Sequence, residues 1–331
     1  VYTDNRAIAR LFISKTAGVG VIKTFGKYNL SLHVPAYLSG IPEGKSAISD
    51  GADKMSLGYP AAIFEHDGDF GWYRQNTFTD YSFGIATYKS GDELYYVLST
   101  TDDNVDYIGF AKEKLKKAAS AGFEKLLVEH KKDWKAYRNK SHVKTGDKLI
   151  DETYKKSWYL FKSCSAKGGY PMPLQGVWTA DNDCLPPWKG DYHHDTNTEL
   201  SYQSYLKANR LKEGEAFIDY LWRLKPAYEK FAKEFFGVGG LLLPSCSTLD
   251  GKPMGGWAQY SLSPMMTVWA ALSFDEYYLY TGDKKFLKKR AYPFFKAVGT
   301  AIKSLLRENN GKYHLPLSSS PEIFDNEPRS Y

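Results

Sequence analysis

Pro173–Leu200, PLQGVWTADNDCLPPWKGDYHHDTNTEL, sets Trp178 and Trp188 on either side of a Pro-Pro pair, then runs through His193, His194, Asp195, Asn197 and Glu199 into a helix-forming segment. A buried core does not carry so many polar groups, because each one left unpaired away from water is costly. A sugar site does carry them. Flat aromatic faces stack on apolar sugar faces, while carboxylates, amides and imidazoles bond the hydroxyls. Aromatic residues make up 16% of the chain, with 26 Tyr and 8 Trp, which fits sugar binding and equally fits a large aromatic core.

Upstream of this stretch, residues 1–108 read as β. FGKYNLSLHV, YSFGIATYKS and ELYYVLST alternate polar with apolar or β-branched residues, and Gly91-Asp92 between the last two is a hairpin signal. An antiparallel β-sandwich, present here in part, is the expected solution. Residues 109–147 change to strong helix formers and read as a helical linker, with Gly122 dividing two helices.

Residues 148–331 read as about five helices with long loops, among them TNTELSYQSYLKANRL and GEAFIDYLWRLKPAYEKFAKEFF. Thr196 has capping-box spacing to Glu199, and Pro226 should end or kink its helix. Helices that bury one face pack pairwise, and a ring of such pairs leaves an axial pocket where the loops converge. The expected architecture is therefore a multidomain β + α chain: a β-sandwich portion, a helical linker, and a ring of paired helices.

The 331 residues allow two domains. A net charge of +6 comes largely from Lys on helical segments, without the dense basic stripe or module of a nucleic-acid binder. No run is long enough to span a bilayer. No signal peptide is visible, and Val1 is not an initiator Met, so the chain is expected to start after a cleavage or inside a longer protein. Cys164, Cys184 and Cys246 are odd in number and lack CxxC spacing, which indicates neither a disulfide framework nor a zinc site. No HExxH-like spacing accompanies the adjacent histidines, so no metal and no cofactor are expected. Asp102–Asp106, DDNVD, lacks the Gly and distal Glu of a calcium loop and reads as a solvated turn.

LQGVW, PPW and DTNTEL in the opening stretch resemble the signature of glycoside hydrolase family 95. Three further segments agree: LLVEHKKDW (Leu126–Trp134), YLYTGDKKFLKKRAYPFFK (Tyr278–Lys296) and SSSPE (Ser318–Glu322). The resemblance covers Leu126 to Tyr331. It implies an exo-acting, inverting hydrolase that removes terminal α-L-fucosyl or α-L-galactosyl residues from an oligosaccharide or polysaccharide, in a secreted or periplasmic protein. It also implies that the helical part is the N-terminal half of an (α/α)6-type toroid, so that the chain is a fragment, with the rest of the toroid and a further catalytic Asp beyond Tyr331. Nucleic acid and membrane are not implied as partners, and oligomeric state is left open. A catalytically inactive carbohydrate-binding relative, or a phosphorylase on a similar toroid, are the competing readings.

Inversion needs a protonated carboxylic acid at the leaving oxygen and a base that activates water on the other face, with the two groups ~6.5–9.5 Å apart. The resemblance makes Glu322 the acid, with Asp195 and Asn197 on the water side. The family carries Asn where this chain has Asp195. An amide only orients water, whereas a carboxylate is a competent base. Asp195 is then either the base itself or the reader of a different sugar hydroxyl, and both it and Asn197 also suit a helix cap. His193, His194 and Glu199 are candidate contacts to sugar hydroxyls, the histidines equally readable as structural. Trp178, Trp188 and Trp257 are candidate stacking platforms or core residues, and the glycines before Trp257 would let backbone approach a ligand.

Overall fold

The computed structural model describes residues 2–3, 6–26, 31–34, 58–177, 187–254, 258–321, 323 and 327–328. The chain forms two compact units, the first ending at Asn139 and the second beginning at Lys140.

In the first unit β1 (Tyr2–Thr3) and β2 (Arg6–Ala7) pair as a short ladder. The main sheet holds β3 (Ala9–Ser14), β4 (Val19–Thr24), β5 (Ile63–Asp67), β6 (Phe70–Asn76), β7 (Ser82–Ser90) and β8 (Glu93–Thr100). It is antiparallel, in the order β3-β4-β8-β7-β6-β5. Gly91-Asp92 makes the expected two-residue turn between β7 and β8, and Gly91 sits at φ 63°, where a side chain would be strained.

Alternation sorts the two faces. Val19 and Val21 of β4, Ala86 of β7, and Tyr95 and Val97 of β8 are buried. They pack against Ile108, Ala111, Leu115 and Ala118 of α1 (Tyr107–Ala121) and Phe123 and Leu126 of α2 (Phe123–Arg138). On the opposite face Leu11, Ile13 and Leu98 are exposed. Gly122, at φ 77°, divides the two helices as expected. The DDNVD turn spends its polar atoms on backbone N–H groups. Asp103 accepts from Thr100, Asn104 from Asp106, and Asp106 caps α1 by accepting from Gly109 at 3.0 Å.

One expected strand differs. FGKYNLSLHV does not run on from β4: Gly26 turns the chain at φ 111°, and residues 31–34 lie outside any ladder, while 27–30 are outside the described residues. At Gly84 a Cβ would lie 2.1 Å from the Tyr73 carbonyl oxygen, a backbone atom that no rotamer change can move. Gly84→Ala is expected to destabilise this unit by about 1–3 kcal/mol, read by urea denaturation, and an unchanged midpoint would contradict the close approach.

The second unit is mostly helical. It contains α3 (Lys148–Cys164), α4 (Asn197–Ser201), α5 (Leu211–Arg223), α6 (Lys225–Phe236), α7 (Ala258–Ser261), α8 (Met265–Thr281), α9 (Lys284–Phe286) and α10 (Tyr292–Leu305), with a π turn at Leu287–Ala291. Its core joins Phe161, Phe217, Tyr220, Leu221, Tyr228, Leu241, Phe274 and Phe294. Left-handed glycines end α6 at Gly237 and α8 at Gly282.

Two expectations change here, and one holds. TNTELSYQSYLKANRL is helical only over α4, because Tyr202, Tyr205 and Leu206 all turn into the core. The Tyr205 ring fills the space where a Cβ on Gly214 would sit. Pro226 divides its segment as expected: α5 stops at Arg223 and Pro226 falls in the first turn of α6, where its missing N–H costs nothing. The unit is also not purely helical. β9 (Tyr192–His193) pairs with β10 (Cys246–Ser247), and β11 (Arg307–Asn309) with β12 (Lys312–His314).

Candidate active site

The β9–β10 ladder is the foundation of the site, with Cys246 opposite His193 and Ser247 opposite Tyr192. Ahead of it a 3-10 turn, Pro187–Gly190, presents Trp188 at φ 51° with 38% of its surface exposed. A bulky residue in left-handed backbone is uncommon. Here it leaves an indole open to solvent, as a stacking platform requires. Leu174 N–H donates to the Asp191 carbonyl at 2.9 Å, tying this turn to the LQGVW segment.

The two histidines face different surroundings, and each has a carboxylate on Nδ1. His193 Nδ1 lies 2.7 Å from Asp191 Oδ1, its Nε2 3.5 Å from Cys246 Sγ, and its ring 5.8 Å from that of Tyr260. His194 Nδ1 lies 3.1 Å from Glu199 Oε1, and its ring stacks against Tyr192, Phe217 and Tyr220. At 0% exposure His194 has no surface for a sugar. The structure places it and Glu199 as a buried pair that holds the β9–α4 turn to the aromatic core.

Glu199 therefore does not close a capping box. Its carboxylate goes to His194, and Thr196, although at the N-cap position, makes no side-chain cap. The Thr196 hydroxyl bonds the Asp195 carbonyl instead. Burial pushes the hydroxyls of Tyr192 and Tyr228 well above the usual tyrosine range, and that of Tyr202 up to about 12. The lining phenols thus stay protonated, as donors: Tyr192 to the Pro171 carbonyl at 2.9 Å and Tyr220 to that of Thr248 at 3.1 Å.

Asp195 is half-buried and Asn197 exposed, one on each side of Thr196, whose backbone sits at φ 154°, ψ −46°. Positive φ in a β-branched residue is strain. The strain lies between the two residues assigned to the water side. Thr196→Gly is expected to relax it and raise stability by about 1 kcal/mol, the ~1–3 kcal/mol of strain less the extra chain entropy of glycine. Denaturant unfolding reads this, and a loss of stability would mean that the turn is not strained.

The segment leading to Glu322 is drawn to the same place. Ser319 N–H donates to the Leu262 carbonyl at 2.7 Å, and its hydroxyl bonds the carbonyl of Gln259 in α7. Ser245, next to β10, donates its N–H to the Tyr260 carbonyl at 3.0 Å. The backbone around α7 thus links Ser319 to the ladder that carries His193. Glu322, Trp178 and Trp257 themselves lie outside the described residues.

Residues 112–329 match the Glycosyl hydrolase family 95 catalytic domain, well over half of the chain. The chain belongs to this family. The match begins within α1, ahead of the Leu126 read from motifs. Among related proteins, the family 95 chain is similar to Alpha-L-fucosidase 2 of Arabidopsis thaliana, 31% identical over 177 residues that cover 53% of this chain and 21% of that protein. It is also similar to Probable alpha-fucosidase A of Aspergillus niger (strain ATCC MYA-4892 / CBS 513.88 / FGSC A1513), 23% identical over 206 residues that cover 54% of this chain and 26% of that protein. The matches thus span 21% and 26% of the lengths of these two relatives. A solved structure, "Putative kojibiose phosphorylase from human microbiome", shares the fold at TM-score 0.63 and 14% identity, over 78% of this chain and 39% of that one.

The motif pattern around DTNTEL pointed to the β9–α4 turn. It gave no sign of Asp191 and Cys246, which the fold sets against His193. Cys246 is 53 residues from that histidine in sequence. The only cue was its place in an apolar-to-polar loop, LLLPSCST, which by itself distinguishes nothing.

Proposed function

We propose that this chain forms part of an exo-acting, inverting glycoside hydrolase that releases terminal α-L-fucosyl or α-L-galactosyl residues from a glycan, in a secreted or periplasmic protein. The observation that carries the reading is the turn Asp195-Thr196-Asn197. It is held from beneath by the His194–Glu199 pair, and the exposed Trp188 precedes it in the same segment. The Ser319 backbone is tied into the same unit through α7. Family membership and the names of the two relatives support the substrate class.

In this reading Glu322 protonates the leaving oxygen. Asp195 and Asn197 hold water on the opposite face, with Asp195 as base, and Trp188, Trp178 and Trp257 offer stacking faces to the sugar. The exposed apolar residues on α3 (Leu149, Ile150) and α8 (Leu272, Leu279) fit helices that belong to a larger (α/α)6 ring. The exposed Leu11, Ile13 and Leu98 fit the second layer of a β-sandwich.

A panel of aryl α-L-fucosides and α-L-galactosides, assayed with and without inorganic phosphate and followed by proton NMR, tests the reading in a protein that contains the whole chain. The expected first product is the β-anomer of the free sugar, without need for phosphate. A sugar phosphate would favour the phosphorylase reading, a retained anomer would exclude inversion, and binding without turnover would leave a carbohydrate-binding protein.

A further inference from the structure

A second cleft opens in the helical unit, away from the β9–α4 turn, between α5, the C-terminal end of α8 and the segment from Asp283 to Arg290. Its volume is about 460 Å³, in the range of small-molecule sites. On α5, Phe217 and Tyr220 turn their rings to His194, whereas Glu215, Ile218 and Asp219 line the cleft. Along α8 the separation is larger. The Leu262 carbonyl, just ahead of that helix, accepts from Ser319, and Tyr277, near its other end, lines the cleft. Met265 to Tyr277 spans about 18 Å at ~1.5 Å per residue.

One wall is apolar: Ile218 lies beside the rings of Tyr277 and Phe286, whose centroids are 4.6 Å apart. The carboxylates of the lining all have partners. Glu215 pairs with Lys167 and accepts from the Tyr277 hydroxyl at 2.9 Å. Asp219 pairs with Arg290. Asp283 accepts from the backbone N–H groups of Lys285 and Phe286, both at 2.9 Å. Two cations are left over. Among the described residues, no carboxylate pairs with Lys285 or Lys289, and both are exposed on the cleft. Lys289 and its neighbour Arg290 belong to the π turn Leu287–Ala291, and single π turns of this kind are frequent at functional sites.

This lining selects a ligand. Carboxylate–cation pairs and a phenol can bond hydroxyl groups, and an apolar wall can take the C–H face of a sugar ring. The two unpaired ammonium groups call for an anion. A bare phosphate would use the lysines and leave the wall empty, and a neutral sugar would leave the lysines unused. We infer that the cleft is a secondary binding site for an acidic saccharide unit, one that bears a carboxylate or a sulfate. Membership of a glycoside hydrolase family is what favours a saccharide over other hydroxylated anions. A glycan held here stays tethered while its end is processed elsewhere, which raises the local concentration of ends. The inference takes only the substrate class from the proposed function, and its test reads binding, not turnover.

The full chain is titrated by calorimetry with a uronic-acid oligosaccharide, a sulfated one, a neutral one of equal length, and inorganic phosphate. None carries a terminal α-L-fucosyl or α-L-galactosyl residue, so a failed hydrolase reading would leave these titrations untouched. One of the acidic oligosaccharides is expected to bind about tenfold or more tightly than the neutral one and than phosphate, and the tighter of the two identifies the anionic group. Added salt should weaken that binding, as it does for exposed charges. Lys285→Ala with Lys289→Ala should weaken it about tenfold, the effect of two exposed ion pairs. Lys303→Ala with Lys312→Ala, exposed lysines that do not line the cleft, should leave it unchanged. Equal affinity for the neutral oligosaccharide, phosphate bound as tightly as the acidic ones, or full binding in the Lys285/Lys289 variant would overturn the site.

Discussion

Glu322→Gln is expected to lower turnover of natural glycans by ~10²–10⁴-fold, the usual contribution of a positioned general acid. That corresponds to about 2.7–5.5 kcal/mol of barrier. On aryl glycosides with acidic phenols as leaving groups the loss should stay within about tenfold, because such oxygens depart with little protonation. The contrast between the two substrate classes is the diagnostic, and steady-state kcat/KM on a series of leaving groups measures it. Equal losses across the series would assign Glu322 to binding or positioning. The prediction draws on the SSSPE resemblance and on the anchoring of Ser319, three residues earlier, to the Leu262 and Gln259 carbonyls. A tethered loop of this kind can present a carboxyl in fixed geometry, which proton donation requires.

Local signals in the sequence translated well where local physics decides. Gly91-Asp92 makes a tight turn because glycine accepts left-handed backbone. Gly122 ends one helix and starts another, and the polar turn at residues 102–106 satisfies its own backbone. Where tertiary packing competes with local preference, the reading failed. The segment after Asn197 has helical composition, yet Tyr202, Tyr205 and Leu206 gain more by turning inward than one further helical turn would supply. Glu199 has capping-box spacing, yet the buried imidazole of His194 competes for it with the backbone and prevails, since a hydrogen bond away from water is stronger than one at a solvated helix end.

The site was legible to a similar degree and for similar reasons. Motif spacing singled out the segment that forms the β9–α4 turn but could not say which of two adjacent histidines faces the core. His193 ends β9 and His194 begins the turn after it, so the two side chains leave the backbone in different directions. Only the fold shows that His194 joins the aromatic stack while His193 meets Asp191 and Cys246. Pairing between β9 and β10 joins residues 53 apart, and no local pattern in a single sequence encodes that.

Asp195→Asn restores the residue type that the family resemblance places there, so its outcome separates two roles for the carboxylate. If Asp195 is the base, kcat should fall by ~10²–10⁴-fold while KM stays within a few-fold, because only activation of water is lost. In the proposed inverting mechanism the product should keep its inverted configuration, since that mechanism uses no covalent nucleophile. If Asp195 instead reads a sugar hydroxyl, KM should rise on the preferred substrate and the preference should move toward fucosides. Buried and exposed positions respond differently to such a change. Asp195 is half-buried and sits beside a strained residue, so replacing its carboxylate with an isosteric amide leaves the turn in place and tests the charge alone. The hydroxyl bond from Thr196 goes to the Asp195 main-chain carbonyl, not its side chain, and therefore persists in the variant. Kinetics on paired fucoside and L-galactoside substrates, with NMR of the first anomer, discriminates the two roles. Unchanged kcat and KM would reduce Asp195 to a structural residue at the start of α4.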